Sequence, residues 1–479
     1  MSRVADLMVR HGHVITMDDD RTQFEDGAVA VIGDTIVAVG ADRDVAAQFT
    51  ATAEIDAAGG PVHPGLIEAH LHASYQLFRG ALPDQMPEDE TFDSFESVFY
   101  NQVRDEDEYL SVALAGVEMI RNGTTCFLEA GTILSPDSGA AAAEHVGIRA
   151  LLGDAFIWDQ PHGFAMGTTE DQAHERPVLA RTPQSLDEAL ASLGTQLSRN
   201  DKEGLVRGHV AVLGLGTASE QLLVEAKRVA SSAGVILNMH QSYSPADTAA
   251  DRSRFGADPL VRLHQLGLLD GDVTLAHVNH LTDAEVEVVL ESGVNIAWAP
   301  AASMMWGHGS TLYGRHAELW RRGGNIALGS DSPNWSNSFD VFRQIMLAVL
   351  GARDAHQSRT YLTAEDGLYM ATRGAARAVG MAERIGSLEV GKKADIVIHT
   401  LDRPELVPTT DMTRNLIYSS GSKSIDTVVI GGTVVLEHGA FRRLAERELY
   451  REVRAASQAL LRRMERAVTP NTPTRRPQR

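Results

Sequence analysis

The sequence predicts an α/β protein in which a parallel βα barrel is inserted into a small β unit drawn from both ends of the chain. Three observations lead there. Short apolar runs alternate with amphipathic segments from Pro64 to about Gly380, a texture that suits a barrel better than an open sheet. Strand–turn–strand patterning precedes that stretch and returns after it. Residues able to bind a metal fall just after several of the middle runs, where a parallel barrel would gather them at one mouth.

Taken in order, residues 7–9, 13–16, 28–32 and 35–39 read as strands, and Gly33-Asp34 as the tight turn joining the last two. This N-terminal unit of about six strands is too short to be the whole fold. In the middle, 235–239, 273–276, 294–297 and 326–328 read as strands, and 219–232, 283–292 and 316–322 as helices. No sequence repeat of fixed period is present. Beyond Gly380, residues 394–398, 427–430 and 433–436 read as strands, the last two joined at Gly431-Gly432. Residues 444–468 set Leu449, Val453, Leu460, Met464 and Val468 on one helical face, suited to the barrel or to a second subunit. The last segment, 469–479, is rich in Pro, Thr and Arg and reads as disordered.

Composition narrows the function classes. With 479 residues, 43% hydrophobic and 22% charged, the chain has ordinary globular content and room for a large domain beside a small one. A net charge of −21, with acids spread along the chain, disfavours nucleic acid and anionic membrane and accommodates a small neutral or cationic substrate. Cys126 is the only cysteine, which excludes an intramolecular disulfide and a Cys-rich zinc site. No signal peptide and no membrane-spanning run is present, so a cytoplasmic protein is expected. No Gly-x-Gly-x-x-Gly follows a strand and opens a helix, which argues against a dinucleotide-dependent oxidoreductase.

The chemistry lies at the strand ends. His70 and His72 close the first middle run, His240 the run 235–239 and His277 the run 273–276, while Asp331 follows 326–328 through Gly329-Ser330. His-x-His on a strand points both imidazoles to one face, because strand side chains alternate. With a further His and an Asp the set is suited to one divalent ion, zinc first, with iron, manganese or nickel as alternatives.

These residues resemble the amidohydrolase superfamily, in its branch of triazine hydrolases, guanine deaminases and adenosylhomocysteine-type deaminases. The resemblance runs through Pro64-Gly65-Leu66-Ile67-Glu68-Ala69-His70-Leu71-His72, Arg79-Gly80, Gly123-Thr124-Thr125 and Val146-Gly147-Ile148-Arg149. It continues in Ala276-His277, Gly329-Ser330-Asp331, Ala371-Thr372-Arg373-Gly374-Ala375-Ala376-Arg377 and Ile385-Gly386-Ser387-Leu388-Glu389-Val390-Gly391-Lys392-Lys393-Ala394-Asp395. It implies a distorted (β/α)8 TIM barrel (63–382), a β-sandwich split between 1–62 and 383–443, a C-terminal helix at 444–468, and a homodimer. It also implies that His70, His72, His240 and Asp331 bind the metal, that His277 holds the water, and that Asp331 takes its proton. Related binuclear sites use a lysine at the fourth strand, here 207–215; the five lysines, at 202, 227, 392, 393 and 423, all lie elsewhere.

Two departures bear on the reaction. Deaminases of this branch read His-x-x-Glu at the fifth strand, whereas this chain has His240-Gln241-Ser242-Tyr243. A phenol, with an ordinary pKa near 10, is a poor base at neutral pH. Glu129, Asp159 or His280 could supply the missing proton path, or Tyr243 could line the pocket only. The loop after the seventh strand reads Ala299-Pro300-Ala301-Ala302-Ser303-Met304-Met305-Trp306, more apolar than the family pattern. Tyr75, Trp298, Ser303 and Trp306 are therefore expected to contact a flat or partly apolar substrate. The expected function is deamination or related C–N or C–X cleavage of a small nitrogen heterocycle. Amide or urea hydrolysis is the alternative that Tyr243 favours, and a non-catalytic binding protein is the alternative from another class.

Overall fold

The computed structural model describes residues 3–86, 95–160 and 179–468. The chain opens with β1 (Arg3–Ile15), β2 (Gln23–Ile32), β3 (Thr35–Ala41), β4 (Phe49–Asp56) and β5 (Pro61–Pro64). β2 and β3 pair antiparallel around Gly33, whose φ of 59° belongs to the left-handed region that tight turns use. The runs expected as separate strands at 7–9 and 13–16 form one strand, because the β1–β2 ladder shifts register at Gly12 instead of ending there. A Cβ on Gly12 would lie 2.5 Å from a Val62 methyl, so only glycine fits that crossing. Asp42–Gln48 is a helix that the apolar pattern does not announce, since Val45 is its one buried apolar residue.

The middle of the chain forms two parallel sheets. One orders β6 (Leu66–Leu71), β7 (Thr124–Glu129), β8 (Arg149–Leu152) and β9 (Val206–Gly208). The other orders β10 (Val210–Gly214), β11 (Leu237–Gln241), β12 (Val273–His277), β13 (Asn295–Trp298) and β14 (Ile326–Leu328). Every residue of β6, β7, β8 and β10 to β14 is buried, as strands covered on both faces must be. The run expected as one fourth strand is divided at His209. β9 pairs with β8, then the chain changes partner and β10 pairs with β11. At the far edges Leu71 bridges Asp331 in parallel, and the Asp331 amide donates to the His70 carbonyl at 3.1 Å. Helices Glu220–Ala233 and Asp283–Ser292 bury Leu222 and Val286 against Leu237, Leu275 and Ile296.

The last strands, β15 (Ile396–His399), β16 (Ile425–Ile430), β17 (Thr433–Glu437) and β18 (Ala440–Phe441), return to the first unit. β15 pairs antiparallel with β5, so strands of both chain ends make one nine-stranded sheet. Arg149 on β8 grips Asp395 with two hydrogen bonds of 2.9 and 3.0 Å, both side chains buried, which ties this sheet to the middle of the chain.

The C-terminal helix, Glu446–Val468, buries Leu449, Val453, Leu460 and Met464, whereas Val468 is 60% exposed and leaves the expected face. Its partner is this chain: it packs on Asp105–Arg121, Ser457 donates to the Leu77 carbonyl at 2.7 Å, and Arg463 pairs with Asp107. The 469–479 tail lies outside the described residues. Among the described residues no helix is long and apolar enough to cross a membrane.

One feature of the seam between β5 and β15 titrates. His63 Nδ1 donates to the Pro64 carbonyl at 2.7 Å, its Nε2 meets His399 Nε2 at 2.9 Å, and His399 Nδ1 meets the Ser424 hydroxyl at 2.8 Å. Burial pushes His63 down to about 4, against the carbonyl's opposing pull. The unfolded chain therefore binds a proton that the folded one refuses between pH 6.5 and 4. The stability is fully present above pH 6.5 and is lost as pH falls through that window, on the order of 3 kcal/mol for this residue. Urea unfolding measured across the window should show a slope about one proton shallower in His63→Leu than in wild type; equal slopes would mean that His63 is not held neutral.

Candidate metal centre

Four strand ends converge. β6 delivers His70 and His72, β11 His240, β12 His277, and the turn after β14 Asp331. His70 stands at the centre, its ring centroid 5.1 Å from His72, 4.8 Å from His240 and 4.9 Å from His277. His72 Nε2 and His240 Nε2 face each other at 3.1 Å. Asp331 Oδ1 lies 3.5 Å from His72 Nε2 and 3.9 Å from His70 Nε2, and its Oδ2 lies 4.0 Å from His277 Nε2. Two triads that share His70 result, one with His240 and His277 and one with His72 and Asp331, each with candidate ligand atoms within 4.8 Å of one another.

The surroundings fix which ring nitrogen is offered. His240 Nδ1 donates to the Leu213 carbonyl at 2.9 Å, which leaves its Nε2 lone pair directed inward. His72 Nδ1 donates to the Thr132 hydroxyl at 3.0 Å, and that hydroxyl donates to Glu129 at 2.5 Å. On the far side Glu68 accepts from the Ser330 amide and hydroxyl at 2.8 and 2.5 Å, which anchors the turn that carries Asp331 to β6. His316 Nε2 donates to the His277 carbonyl at 2.7 Å while its ring stacks on Trp298.

Backbone strain gathers at the same place. Ser242, His277, Val278 and Asp331 have φ of 49°, 72°, 52° and 65°, a region costly for any side chain and most costly for a β-branched one. Hydrogen bonds from Val278 to the Gln241 carbonyl and from Asn279 to the Ser242 carbonyl, both 2.9 Å, hold this geometry.

The donor set fits a cation. Burial, reinforced by neighbouring imidazoles, drives His70, His72 and His277 well below their ordinary value, and burial brings His240 to about 4. All four rings are thus neutral with lone pairs to give. Burial raises the Asp331 carboxyl to about 8; the Ser332 amide opposes the rise and the nearby Glu96 carboxyl adds to it. His70 is wholly buried with no hydrogen-bond partner for either ring nitrogen among the described residues, a cost on the order of 1–3 kcal/mol per unmet group that a cation at Nε2 would relieve.

A cavity opens over this cluster, walled by His72, His240, His277 and Asp331 on the polar side and by Tyr75, Tyr100, Phe156, Tyr243 and Trp335 on the aromatic side. Of the residues expected near substrate, Tyr75 and Tyr243 reach this wall. The others do not. Glu129 has its oxygens taken by Thr132 and the Gly131 amide, behind His72. Asp159 accepts from the Ser219 amide at 2.7 Å. His280 stacks on the exposed Tyr313. Trp298 donates to Ser310 and stacks on His316, Ser303 accepts from the Ser310 amide, and Trp306 stacks behind Trp335 at 4.3 Å between centroids.

Sequence reasoning missed Glu96, Tyr100, Phe156 and Trp335, all in the cavity wall. Two signals were available. Trp335 lies four residues beyond Asp331, in the last loop of the mouth. Glu96 and Tyr100 belong to the long connection between β6 and β7, and connections of that length are commonly functional.

Comparison with known proteins places this geometry among relatives. A model of the amidohydrolase family matches residues 62–435. A 5-methylthioadenosine/S-adenosylhomocysteine deaminase of Syntrophobacter fumaroxidans is 33% identical over 433 residues, which span 90% of this chain and 93% of that protein. An adenosine deaminase structure from Xanthomonas campestris with bound zinc superposes with a TM-score of 0.87 at 27% identity, covering 96% of this chain and 100% of that one. An atrazine chlorohydrolase structure from Arthrobacter aurescens, complexed with zinc, shares the fold with a TM-score of 0.81 at 23% identity, covering 94% and 100% of the two chains.

Proposed function

This chain belongs to the amidohydrolase family, and from that membership we propose that it is a mononuclear metal-dependent hydrolase that deaminates a small amino-substituted nitrogen heterocycle. The observation that carries the reading is the convergence of four imidazoles and one carboxylate beneath an aromatic cavity. His70, His72, His240 and Asp331 would hold the metal, zinc by the precedent of the zinc-bearing neighbours, with iron, manganese and nickel as the other suitable ions. When bound it supplies a Lewis acid that makes water acidic enough to ionise near neutral pH.

The rest is the work of side chains. His277, with Nε2 4.0 Å from Asp331 Oδ2, holds the attacking water by a hydrogen bond, and Asp331 accepts its proton. The aromatic wall presents flat faces, among them Trp335 backed by Trp306, between which a planar ring excludes solvent. Thr132 and Glu129 hold His72 in the tautomer that turns Nε2 inward. Thr132→Val should therefore weaken zinc about 10- to 100-fold in a chelator competition while the fold persists; unchanged affinity would make that chain of hydrogen bonds structural only.

The same resemblance supports reading the two parallel sheets, continuous through 208–210 and bridged at Leu71 and Asp331, as one distorted (β/α)8 barrel at 63–382. It supports the terminal strands, at 1–62 and 383–443, as the β-sandwich domain, and a homodimer as the assembly.

Ammonia release across adenosine, other aminopurines, aminopyrimidines and aminotriazines, beside amide and urea panels, tests the reading. Ammonia from an amino-heterocycle is the expected result. Tyr243 in the wall, where a glutamate is usual, favours a second reading: cleavage of an amide or urea with no ammonia from any heterocycle would establish that one instead.

A further inference from the structure

We propose that Glu96 is the carboxyl group that passes a proton to the departing nitrogen of the substrate. The assignment rests on the deaminase reading above. An amine leaves carbon readily only with a proton on it, because the unprotonated anion is far too basic, so a deaminase needs an acid within reach of that nitrogen. Tyr243 is a phenol. Glu129, Asp159 and His280 are turned away from the cavity and engaged elsewhere. Two carboxyl groups remain in the described wall, Asp331 and Glu96, and Asp331 is committed to the metal and to carrying the water's first proton to the ring nitrogen.

Glu96 has the features the task needs. It is 5% exposed, and the Trp335 indole N–H donates to its Oε1 at 3.3 Å, which holds the carboxyl at the edge of that ring, with the Tyr75 hydroxyl also hydrogen-bonded to the carboxyl. Tyr75 and Tyr100, both buried, line the same side of the cavity with ring centroids 5.3 Å apart. One face of Trp335 is backed by Trp306, stacked at 4.3 Å, while the ring of Tyr243 meets it nearly perpendicular at 6.4 Å. The acid and the platform therefore form one unit, so a heterocycle stacked on Trp335 brings its edge to Glu96.

The oxygen of water bonds to the ring carbon while its first proton passes by way of Asp331 to the ring nitrogen. The exocyclic C–N bond then breaks, its electron pair leaving with nitrogen, which takes the Glu96 proton and departs as ammonia. The hydroxyl proton of the adduct is released as C=O forms, and it restores the Glu96 proton.

Leaving-group dependence distinguishes this role from a structural one. Adenosine and 6-chloropurine riboside place ammonia or chloride on the same carbon of the same ring, and chloride needs no proton to leave. In zinc-loaded Glu96→Gln, kcat on adenosine should fall about 10²- to 10⁴-fold. Chloride release should fall less than about tenfold, with KM, zinc content per chain and Tm close to wild type. Equal losses on both compounds would overturn the assignment and leave the deaminase reading standing. A selective loss on adenosine in Tyr243→Phe, with none in Glu96→Gln, would overturn it in favour of the phenol. A wild-type protein that cleaves an amide and releases ammonia from no amino-heterocycle would overturn the deaminase reading and this assignment with it.

Discussion

With Asp331 replaced by Asn, kcat at saturating metal and substrate is expected to fall about 10³- to 10⁴-fold. The carboxylate is asked to do two things at once. Its Oδ1 faces His72 and His70 at 3.5 and 3.9 Å, among the ligand nitrogens, and its Oδ2 faces His277 at 4.0 Å, where the water is held. Asn keeps the shape and removes both the charge and the base. It is also the substitute the backbone tolerates best, since Asp331 has φ of 65° and Asn enters the left-handed region more readily than other residues with a β-carbon. A variant that folds, retains zinc at high concentration and turns over near the wild-type rate would show that the proton of water goes elsewhere.

The second large effect is expected at His70. Its ring lies within 5.1 Å of three other imidazoles, and it belongs to both triads of candidate ligands. In His70→Ala the metal should be lost and turnover should fall below detection, because among the described residues His70 alone belongs to both ligand triads. Removing a buried ring also leaves a cavity, worth about 2–4 kcal/mol of stability, so activity alone does not separate a lost ligand from a damaged core. Chelation separates them. Wild-type Tm should drop when zinc is removed, since a ligand that binds only the folded state stabilises it by mass action, whereas the Tm of His70→Ala should not respond. A variant whose Tm still falls on chelation would place the metal elsewhere.

Much of this architecture is written locally in the chain. The buried strands β12 and β14 and the helix Asp283–Ser292 stand out because apolar runs, turn residues and the Thr282–Glu285 capping box all agree. The ligand set is legible for the same reason, since each member sits at a strand end and parallel strands bring their ends together. What was not legible depends on tertiary context. Trp298 sits on a strand buried on both faces, so composition does not say which side it takes. It follows Ile296 into the cluster under the helices, while Ala297 joins a different one. β9 and β10 read as one strand because the break at His209 comes from a change of partner, which leaves no local mark. Glu96 and Trp335 come from loops 239 residues apart and acquire meaning only once the indole meets the carboxyl.

The central claim is one catalytic metal ion per chain, held by His70, His72, His240 and Asp331. It is tested most directly by stripping the purified protein with a chelator and titrating zinc back while ammonia release and bound metal are followed together. Activity that is absent in the stripped protein and returns in proportion to the first equivalent, with a break at one zinc per chain, is the predicted result. Full activity without metal, or a return that requires a second equivalent, would contradict it.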